Sequence, residues 1–277
     1  MIGFVGLGQM GAPMAGHLVE RGVIVHDVRP EAVRELVDKG AKAARTLEDL
    51  AEAGLVELMV RDDAQVREVC AVLLPLLSPG SVIAIHSTIR AGTAVDLAAE
   101  AEPHGVEIVD APVSGSFLGA HQGTLAAMVG GSEQAFARCQ EAFSPWAGLV
   151  VHMGPVGAGT HAKLARNLLH FVAFTAAGEA QRLAEAAGVS LRRLARVVRH
   201  SDAITGGPGS IMLRSETGPL SPDDPLHDVY AHVLALGDKD LALALELAGE
   251  LGVETPLTAL AADLLPESLG VPRERQA

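Results

Sequence analysis

The chain has 277 residues, and its balance of 49% hydrophobic and 20% charged residues excludes an intrinsically disordered protein. Its 21 lysines and arginines stand against 34 aspartates and glutamates, a formal net charge of −13 that argues against nonspecific binding of nucleic acid. Only two cysteines occur, so neither a disulfide framework nor a cysteine-based zinc site is expected. The N-terminus carries no basic leader, and the most apolar long stretch, residues 168–178, is too short for a membrane span. We therefore expect a cytoplasmic protein without membrane or nucleic-acid partners.

The first half of the chain alternates short β-branched runs with segments of helical apolar spacing. This pattern predicts five strands, at residues 2–7, 24–27, 55–60, 81–86 and 106–109. Strands that alternate with helices indicate a parallel sheet covered by helices on both faces. Two further strands, at 124–129 and 149–152, are expected to extend the same sheet, and Ser132 is expected to cap the helix between them.

The second half of the chain is predicted to be helical. Neither proline nor a turn dipeptide interrupts residues 160–187, which predicts one long helix, and further helices are expected at 190–200, 227–251 and 256–265. No strand pattern follows residue 153. We therefore expect two domains, an α/β dinucleotide-binding domain over residues 1–156 and an all-helical domain over 157–277. Its polar end, residues 271–277, is expected to be a mobile tail.

A glycine-rich turn, Gly6-Leu7-Gly8-Gln9-Met10-Gly11, follows the first predicted strand and opens a predicted helix. This is the context in which GxGxxG binds a dinucleotide. The first glycine allows a tight turn, the second lets a pyrophosphate approach the backbone, and the third lets the helix pack against the strand. A glycine turn without a ligand is the alternative, which the agreement of position, strand and helix disfavours.

An acidic residue, Asp27, ends the second predicted strand, sixteen positions after Gly11. A carboxylate there accepts hydrogen bonds from both hydroxyls of an adenosine ribose and repels a 2′-phosphate, which favours NAD over NADP. Arg29 follows two residues later and weakens that preference, so NADP stays open.

Lys163 and Asn167 lie four residues apart on the long helix and therefore on one face, next to Arg166 and His170. A solvent-facing polar stripe is one reading of this pattern. The other is a catalytic pair, which requires that burial and nearby positive charge lower the pKa of the lysine. Arg166, Lys239 and an oxidised nicotinamide are candidate sources of that charge.

Two shorter segments carry candidate binding groups. Ser114, Gly115 and Ser116 follow a strand at a sharp turn and could form an anion nest suited to a carboxylate, although an ordinary loop is the alternative. Lys239 lies among acidic residues in a predicted helix, a pattern that by itself is more typical of a surface salt-bridge cluster.

Taken together, these segments resemble the β-hydroxyacid dehydrogenase family, in particular its 3-hydroxyisobutyrate dehydrogenase group, across nearly the whole chain. The resemblance rests on four motifs that occur in the family's order. They are the glycine turn running on to Ala12-Pro13-Met14, the segment from Asp110-Ala111-Pro112-Val113-Ser114-Gly115 to Gly123-Thr124-Leu125, Gly157-Ala158-Gly159 followed by Lys163 and Asn167, and Lys239-Asp240-Leu241.

The resemblance implies a doubly wound Rossmann-type domain, a helical C-terminal domain like that of 6-phosphogluconate dehydrogenase, and NAD(P)-dependent oxidation of a 3-hydroxy acid. It implies that Lys163 is the general acid/base and that Asn167 orients it. It also implies a homo-oligomer, a dimer or tetramer, built through the long helix. The substrate-binding residues that it implies are Ser114, Gly115, Ser116, Arg166 and Lys239. The cofactor-binding residues are Gly6, Gly8, Gln9, Met10, Gly11, Asp27, Val60, Arg61, Thr88 and Lys239.

Three positions depart from the family pattern, and all of them surround the expected substrate rather than the cofactor. Arg166 stands where the family commonly has an asparagine, Ser116 where it has a glycine, and Arg90 where it has a proline. A guanidinium beside Lys163 could bind a second anionic group, which suggests a dicarboxylic or phosphorylated substrate.

Other functions fit the sequence less well. Reduction of a short aldehyde acid, such as a semialdehyde or glyoxylate, uses the same residues in the opposite direction. Imine reductases of related architecture usually replace the lysine, and 6-phosphogluconate dehydrogenase is much longer. A module that senses NAD without turnover would give Lys163 and Asn167 no purpose. No metal site is expected, because the eleven histidines are scattered without ligand spacing.

Overall fold

The computed structural model describes residues 1–273 and divides the chain into two compact units, Met1–Arg166 and Asn167–Ala277. The division falls inside the long helix. The expected domain boundary after residue 156 therefore stays a prediction.

The first unit alternates strands and helices, as the sequence predicts. Its strands are β1 Ile2–Val5, β2 Val23–His26, β3 Lys42–Ala43, β4 Leu55–Leu58, β5 Val82–Ile85, β6 Glu107–Asp110, β7 Val113–Ser114, β8 Leu125–Gly130 and β9 Ala147–Gly154. Its helices are α1 Gly11–His17, α2 Pro30–Val37, α3 Asp63–Leu73, α4 Ala91–Ala101, α5 Ser116–Gln122 and α6 Glu133–Phe143. Ser132 caps α6, as expected, because its hydroxyl accepts a hydrogen bond from the Ala135 amide.

The strands form one sheet in the order β3-β2-β1-β4-β5-β6-β8-β7, with β9 paired to β8. All pairs from β3 to β6 are parallel, and β1 lies between β2 and β4. The chain order therefore reverses direction at β1, which is where open α/β sheets bind ligands beyond the carboxyl ends of their strands. The expected doubly wound architecture is confirmed.

Two details of the sheet differ from the sequence prediction. The strands β3 and β7 are two residues long, too short for an alternating pattern to reveal them. The strand β8 also runs antiparallel to β6, although the alternation of strands and helices predicts a parallel neighbour. The chain between them turns back through β7 and the short helix α5, and no long crossover separates β6 from β8.

Side chains on both faces of the sheet are buried, so the central strands contain almost continuous apolar runs. In β1, Phe4 belongs to the cluster on one face and Val5 to the cluster on the other. Every residue of β4 and β5 is buried. Burial on two faces is typical of a parallel sheet between two layers of helices.

A polar network lies inside this core. Glu57 on β4 is fully buried, and its Oε2 accepts a hydrogen bond from Trp146 Nε1 at 3.1 Å and lies 3.2 Å from His86 Nε2. His86 Nδ1 donates to the Ala111 carbonyl at 2.8 Å, so a hydrogen bond between His86 Nε2 and Glu57 Oε2 requires one proton on either of these two atoms. Burial raises the pKa of Glu57, against the opposing effect of His86 and Trp146. Within residues 1–273, Glu57 Oε1 has no hydrogen-bond partner.

The second unit is helical, as the sequence predicts. Its helices are the greater part of α7 Ala158–Ala186, which begins in the first unit, α8 Leu191–Thr205, α9 His227–Leu251 and α10 Pro256–Leu269. The nearly buried carboxylate of Glu179 on α7 accepts hydrogen bonds from the Leu257 and Thr258 amides and thus caps α10. No helix in the described part of the chain has the length and the apolar composition to cross a bilayer.

Three expectations for the helical half need correction. The helix α8 runs to Thr205 instead of residue 200, and Ser190 precedes it without a side-chain hydrogen bond to its first turn. The helix α10 continues past Pro266, which stands inside it. The expected mobile tail at 271–277 is wrong for Val271, which is 2% exposed and packs with Tyr230, and residues 274–277 lie outside the described part.

Replacement of Trp146 by phenylalanine tests the buried network. The indole N–H is lost while Glu57 stays buried, and we expect the lost hydrogen bond to lower the free energy of unfolding by about 1–3 kcal/mol, measured by urea denaturation. The same substitution in a Glu57→Leu background should cost less, because the acceptor is absent. Equal losses in both backgrounds would show that the hydrogen bond contributes nothing.

Candidate active site

The glycine turn after β1 depends on the absence of side chains at two of its three glycines. Gly6 has φ +94°, and a Cβ there would overlap the Met59 carbonyl. A Cβ on Gly11 would overlap the Gly6 carbonyl and crowd the Phe4 ring. Both positions therefore require glycine to bring α1 against β1, as the motif predicts. A Cβ on Gly8 would meet no protein atom within 4 Å, so the space before Gly8 is open to a ligand.

Asp27 follows β2 and faces this turn. Its Oδ2 accepts a hydrogen bond from the Leu7 amide at 2.6 Å, and its Oδ1 accepts from the Arg29 amide at 2.8 Å and from Arg29 Nε at 3.2 Å. Arg29 also donates to the Leu7 carbonyl at 2.9 Å. Partial burial alone would raise the pKa of Asp27, but the hydrogen bonds and the guanidinium charge outweigh it and lower the pKa. The carboxylate is therefore ionised at neutral pH and is partly compensated by Arg29.

A cleft of about 730 Å³ opens between the carboxyl ends of β1, β2 and β4. Six of the sequence-predicted cofactor residues line it: Gly6, Gly8, Gln9, Asp27, Val60 and Arg61. Sequence reasoning missed other lining residues, among them Val28, Leu47, Gln65, Glu68, Val69 and Val72. A helical pattern shows Gln65 to Val72 as part of an amphipathic helix, but only the packing of α3 shows which side borders the cleft.

The remaining cofactor candidates occupy other surroundings. Met10 packs against the apolar core beside Gly11, and Thr88 is exposed after β5. Its neighbour Ser87 is buried, and the Ser87 hydroxyl accepts from the Val60 amide at 2.9 Å and donates to the Val60 carbonyl at 2.7 Å. Ser87 therefore holds the end of β5 to the chain beyond β4, a role that the sequence pattern does not indicate.

Lys163 lies in the second turn of α7 and is partly buried. Its Nζ donates a hydrogen bond to the Val113 carbonyl at 2.6 Å, directly before Ser114 and Gly115. Burial lowers the pKa of Lys163, and the nearby charge of Arg166 lowers it further. The reading of Lys163 as a purely solvent-facing residue is thus wrong. The structure brings Lys163 to the expected carboxylate loop.

The loop after β7 has an uncommon backbone. Gly115 has φ +134°, and Ser116 has φ +60°, which makes it the one residue other than glycine with positive φ among residues 1–273. A left-handed conformation costs a residue with a Cβ roughly 1–2 kcal/mol, whereas glycine adopts it freely. A glycine at position 116, which is usual in the resembled family, would adopt this conformation freely, whereas Ser116 adopts it under strain.

Two further candidates belong to the second unit. Asn167 is its first residue and is partly buried. Lys239 lies on α9, where its side chain is 62% exposed and forms an ion pair with Asp240 at 3.2 Å. Within its own unit, Lys239 therefore forms a surface ion pair, which is the contact that its acidic neighbours in the sequence indicate.

The residues present fit a dinucleotide. The turn leaves open backbone at Gly8, the adjacent cleft has the size of a cofactor site, and a charged carboxylate stands where a ribose is expected. Among residues 1–273, no group of three histidine, cysteine, aspartate or glutamate side chains is arranged to hold a metal ion.

Comparison with family models matches both halves of the chain. Residues 1–154 match the NAD binding domain of 6-phosphogluconate dehydrogenase, and residues 157–270 match the NAD-binding domain of NADP-dependent 3-hydroxyisobutyrate dehydrogenase.

Individual relatives agree with the family models. An uncharacterised oxidoreductase of Mycobacterium tuberculosis is 51% identical over 98% of this chain and 94% of its own. The crystal structure of a putative oxidoreductase from Mycobacterium avium is 50% identical, with a TM-score of 0.95 over 98% of this chain and 99% of that one. The structure of 3-hydroxyisobutyrate dehydrogenase from Mycobacterium tuberculosis with L-serine is 35% identical, with a TM-score of 0.68 over 96% and 92% of the two chains.

The charge of Arg166 can be tested through the pKa of Lys163. Arg166→Gln removes a positive charge that disfavours the protonated amine, so we expect the pKa of Lys163 to rise. The chain contains four lysines, Lys39, Lys42, Lys163 and Lys239, so ¹³C-methyl NMR after reductive methylation follows each of them. Arg166→Lys keeps the charge and should leave the pKa of Lys163 near its original value. An unchanged pKa in Arg166→Gln would contradict the assignment.

Proposed function

The chain belongs to the β-hydroxyacid dehydrogenase family, which makes it an NAD(P)-dependent oxidoreductase, and we propose that it oxidises a small 3-hydroxy acid similar to 3-hydroxyisobutyrate. The observation that supports this most directly is the contact between Lys163 Nζ and the Val113 carbonyl. It puts a candidate proton acceptor next to Ser114 and Gly115, the groups proposed to bind the substrate carboxylate.

We propose that Lys163 is the general acid/base. When bound, the nicotinamide supplies the hydride acceptor for oxidation and the hydride donor for reduction. Neutral Lys163 accepts the proton of the substrate hydroxyl, and the lowered pKa increases the fraction of lysine that is neutral and able to do so. Asn167, one turn further along α7, is proposed to orient Lys163 and to donate a hydrogen bond to the substrate.

The carboxylate of the substrate is proposed to bind the loop from Ser114 to Ser116. The Ser114 hydroxyl and the amides of Gly115 and Ser116 are the donors, and the positive φ values of Gly115 and Ser116 support a nest-like turn. Lys239 is proposed as a further contact of substrate and nicotinamide. These donors bind any small carboxylate, so the substrate's side chain must be selected by other residues.

For the cofactor we propose binding through the turn residues Gly6, Gly8, Gln9, Met10 and Gly11, and through Asp27, Val60, Arg61 and Thr88. A charged Asp27 favours the free ribose hydroxyls of NAD and repels the 2′-phosphate of NADP. Arg29 compensates part of that charge, so NADP remains a usable cofactor with lower affinity.

The names of the relatives leave the substrate open within one chemical class. The 3-hydroxyisobutyrate dehydrogenase compared above is described with L-serine, which is itself a 3-hydroxy acid. Reduction of a semialdehyde is the same reaction in the opposite direction, and reduction of glyoxylate is the same hydride transfer to an aldehyde next to the carboxylate. A panel of small hydroxy acids and their oxo-acid partners, assayed with NAD and NADP by nicotinamide absorbance, distinguishes substrate, direction and cofactor. Cofactor binding without hydride transfer to any of them would instead support a non-catalytic NAD sensor.

Replacement of Lys163 by alanine tests the proposed mechanism. Loss of the proton acceptor should reduce kcat by about 10²–10⁴-fold, with NAD affinity near that of the unmodified protein. Isothermal calorimetry measures the affinity, and steady-state kinetics measure kcat. Lys42→Ala, at an exposed lysine on β3, is the matched control and should keep full turnover. Retained turnover in Lys163→Ala would refute the role of Lys163.

A substrate with two anionic groups is a second candidate. Arg166 stands close enough to Lys163 to lower its pKa, so a second carboxylate or a phosphate on the substrate would meet a guanidinium near the reacting carbon.

The two-anion candidate predicts a substrate-dependent effect of Arg166→Asn. The KM of a hydroxy diacid should rise about tenfold or more, from the loss of a charged hydrogen bond, and the KM of the matching monoacid should change little. Any change in the pKa of Lys163 affects both substrates alike, so the ratio of the two KM values isolates the contact. Equal effects on both substrates would remove this candidate.

We further propose that the protein forms homo-oligomers through the long helix and works in the cytoplasm. Apolar side chains on the second-unit part of α7 support the first proposal, since Leu168, Phe171 and Phe174 are 67%, 60% and 59% exposed. Sedimentation analysis measures the assembly directly.

A further inference from the structure

We propose that Asp110 is a positioning residue, whose buried carboxylate holds the first turn of α7 and thereby sets the place of Lys163 Nζ beside Ser114. The proposal rests on the proposed role of Lys163 in proton transfer. Asp110 itself touches neither the cleft nor an exposed surface, because it is 0% exposed at the end of β6. It is therefore not a substrate-binding group.

Both oxygens of the Asp110 carboxylate accept hydrogen bonds at the start of α7, one from its first turn and one from the residue before it. Oδ1 accepts a hydrogen bond from the Gly157 amide at 2.7 Å, and Oδ2 accepts from the Thr160 amide at 2.6 Å. These amides belong to the start of the helix, where backbone N–H groups have no partner within the helix. A carboxylate at this end also interacts favourably with the helix dipole. One side chain thus fixes two points of the first turn to the sheet.

Close packing leaves this first turn little room to move. A Cβ on Gly159 would overlap the carbonyls of Met128 and Asp110, and a Cβ on Gly130 would overlap Asp110 Oδ1. The start of α7 therefore lies directly against the ends of β6 and β8. Glycine at these two positions is a steric requirement of the contact with Asp110.

The same two segments meet again one turn further along α7. Lys163 follows Thr160 by three residues and lies on the same side of the helix, and its Nζ reaches the carbonyl of Val113, which follows Asp110 by three residues. The segment 110–113 and the first turns of α7 are thus joined twice, by a carboxylate at one end and by an amine at the other. Release of the carboxylate end would let the helix shift and separate Lys163 from Val113 and Ser114.

Burial raises the pKa of Asp110, against the opposing effect of the Gly157 and Thr160 amides. The amides are therefore its principal compensation inside the protein. A carboxylate that only stabilised the fold would change the free energy of unfolding and leave Lys163 as it is. A positioning carboxylate changes the surroundings of Lys163 as well, and this difference defines the test.

The test compares Asp110→Asn and Asp110→Ala with the unmodified protein. Asparagine keeps one acceptor oxygen and alanine keeps none, so the effects should be graded. We expect kcat to fall about 10²-fold in the alanine variant, as for a misplaced catalytic group, and less in the asparagine variant, with NAD affinity unchanged. In ¹³C-methyl NMR, the pKa of Lys163 should rise in both variants, because the amine leaves the partly buried position that lowers its pKa.

Asp63→Asn is the matched control. Like Asp110, Asp63 accepts hydrogen bonds at the start of a helix that follows later in the chain. Its Oδ1 accepts from the Arg90 amide at 3.1 Å and from the Thr93 hydroxyl at 2.5 Å, at the start of α4. This variant should lose stability and leave the pKa of Lys163 in place. A pKa shift of Lys163 equal to that in Asp110→Asn would overturn the proposal, as would an unchanged pKa and kcat in Asp110→Ala.

Hydrogen exchange of the unmodified protein covers the case in which the Asp110 variants do not fold. The Gly157 and Thr160 amides should exchange among the slowest of the first unit, and exchange at the rate of exposed amides would overturn the proposal. The experiments also separate this proposal from the proposed function. If no hydroxy acid is oxidised by the unmodified protein, the proposed function fails, while the NMR comparison still tests whether Asp110 positions Lys163.

Discussion

Close approach of backbone to backbone is the constraint on which the rest of this structure depends. At Gly6 and Gly11 the first helix is brought against β1 and the chain beyond β4, and at Gly130 and Gly159 the start of α7 is brought against β6 and β8. A methyl group at any of these positions would overlap a backbone or carboxylate atom. The first pair shapes the cofactor cleft and the second pair determines where Lys163 lies. Both halves of the proposed chemistry therefore rely on positions that carry no side chain.

Hydrogen bonds hold two charged groups of the first unit in surroundings that shift their pKa. Asp27 is held by the Leu7 amide and Arg29, which keep its carboxylate ionised where a ribose is expected. Lys163 is held at the Val113 carbonyl, where burial and Arg166 favour the neutral amine. These surroundings supply both the geometry and the acid–base property that the proposed chemistry requires. A change in one contact is expected to affect both.

Two of the three departures from the family pattern, Ser116 and Arg166, are proposed substrate-binding residues. Ser116 adopts a left-handed backbone that glycine would adopt without strain, and Arg166 adds a charge beside Lys163. The cofactor side keeps the glycine turn and the acid after β2. Family membership therefore defines the cofactor chemistry more firmly than it defines the substrate.

The sequence by itself determined the fold class, the glycine turn, the acid after the second strand and the candidate lysine, because each follows from local periodicity or from a motif of adjacent residues. It did not reveal β3 and β7, which are too short for periodicity, or the antiparallel direction of β8. Only the tertiary structure joined Lys163 to Val113 and Asp110 to the start of α7, since these contacts link residues about fifty positions apart. The physical reason is that tertiary packing decides which distant backbone groups a buried charged side chain contacts, and no local sequence pattern encodes that choice.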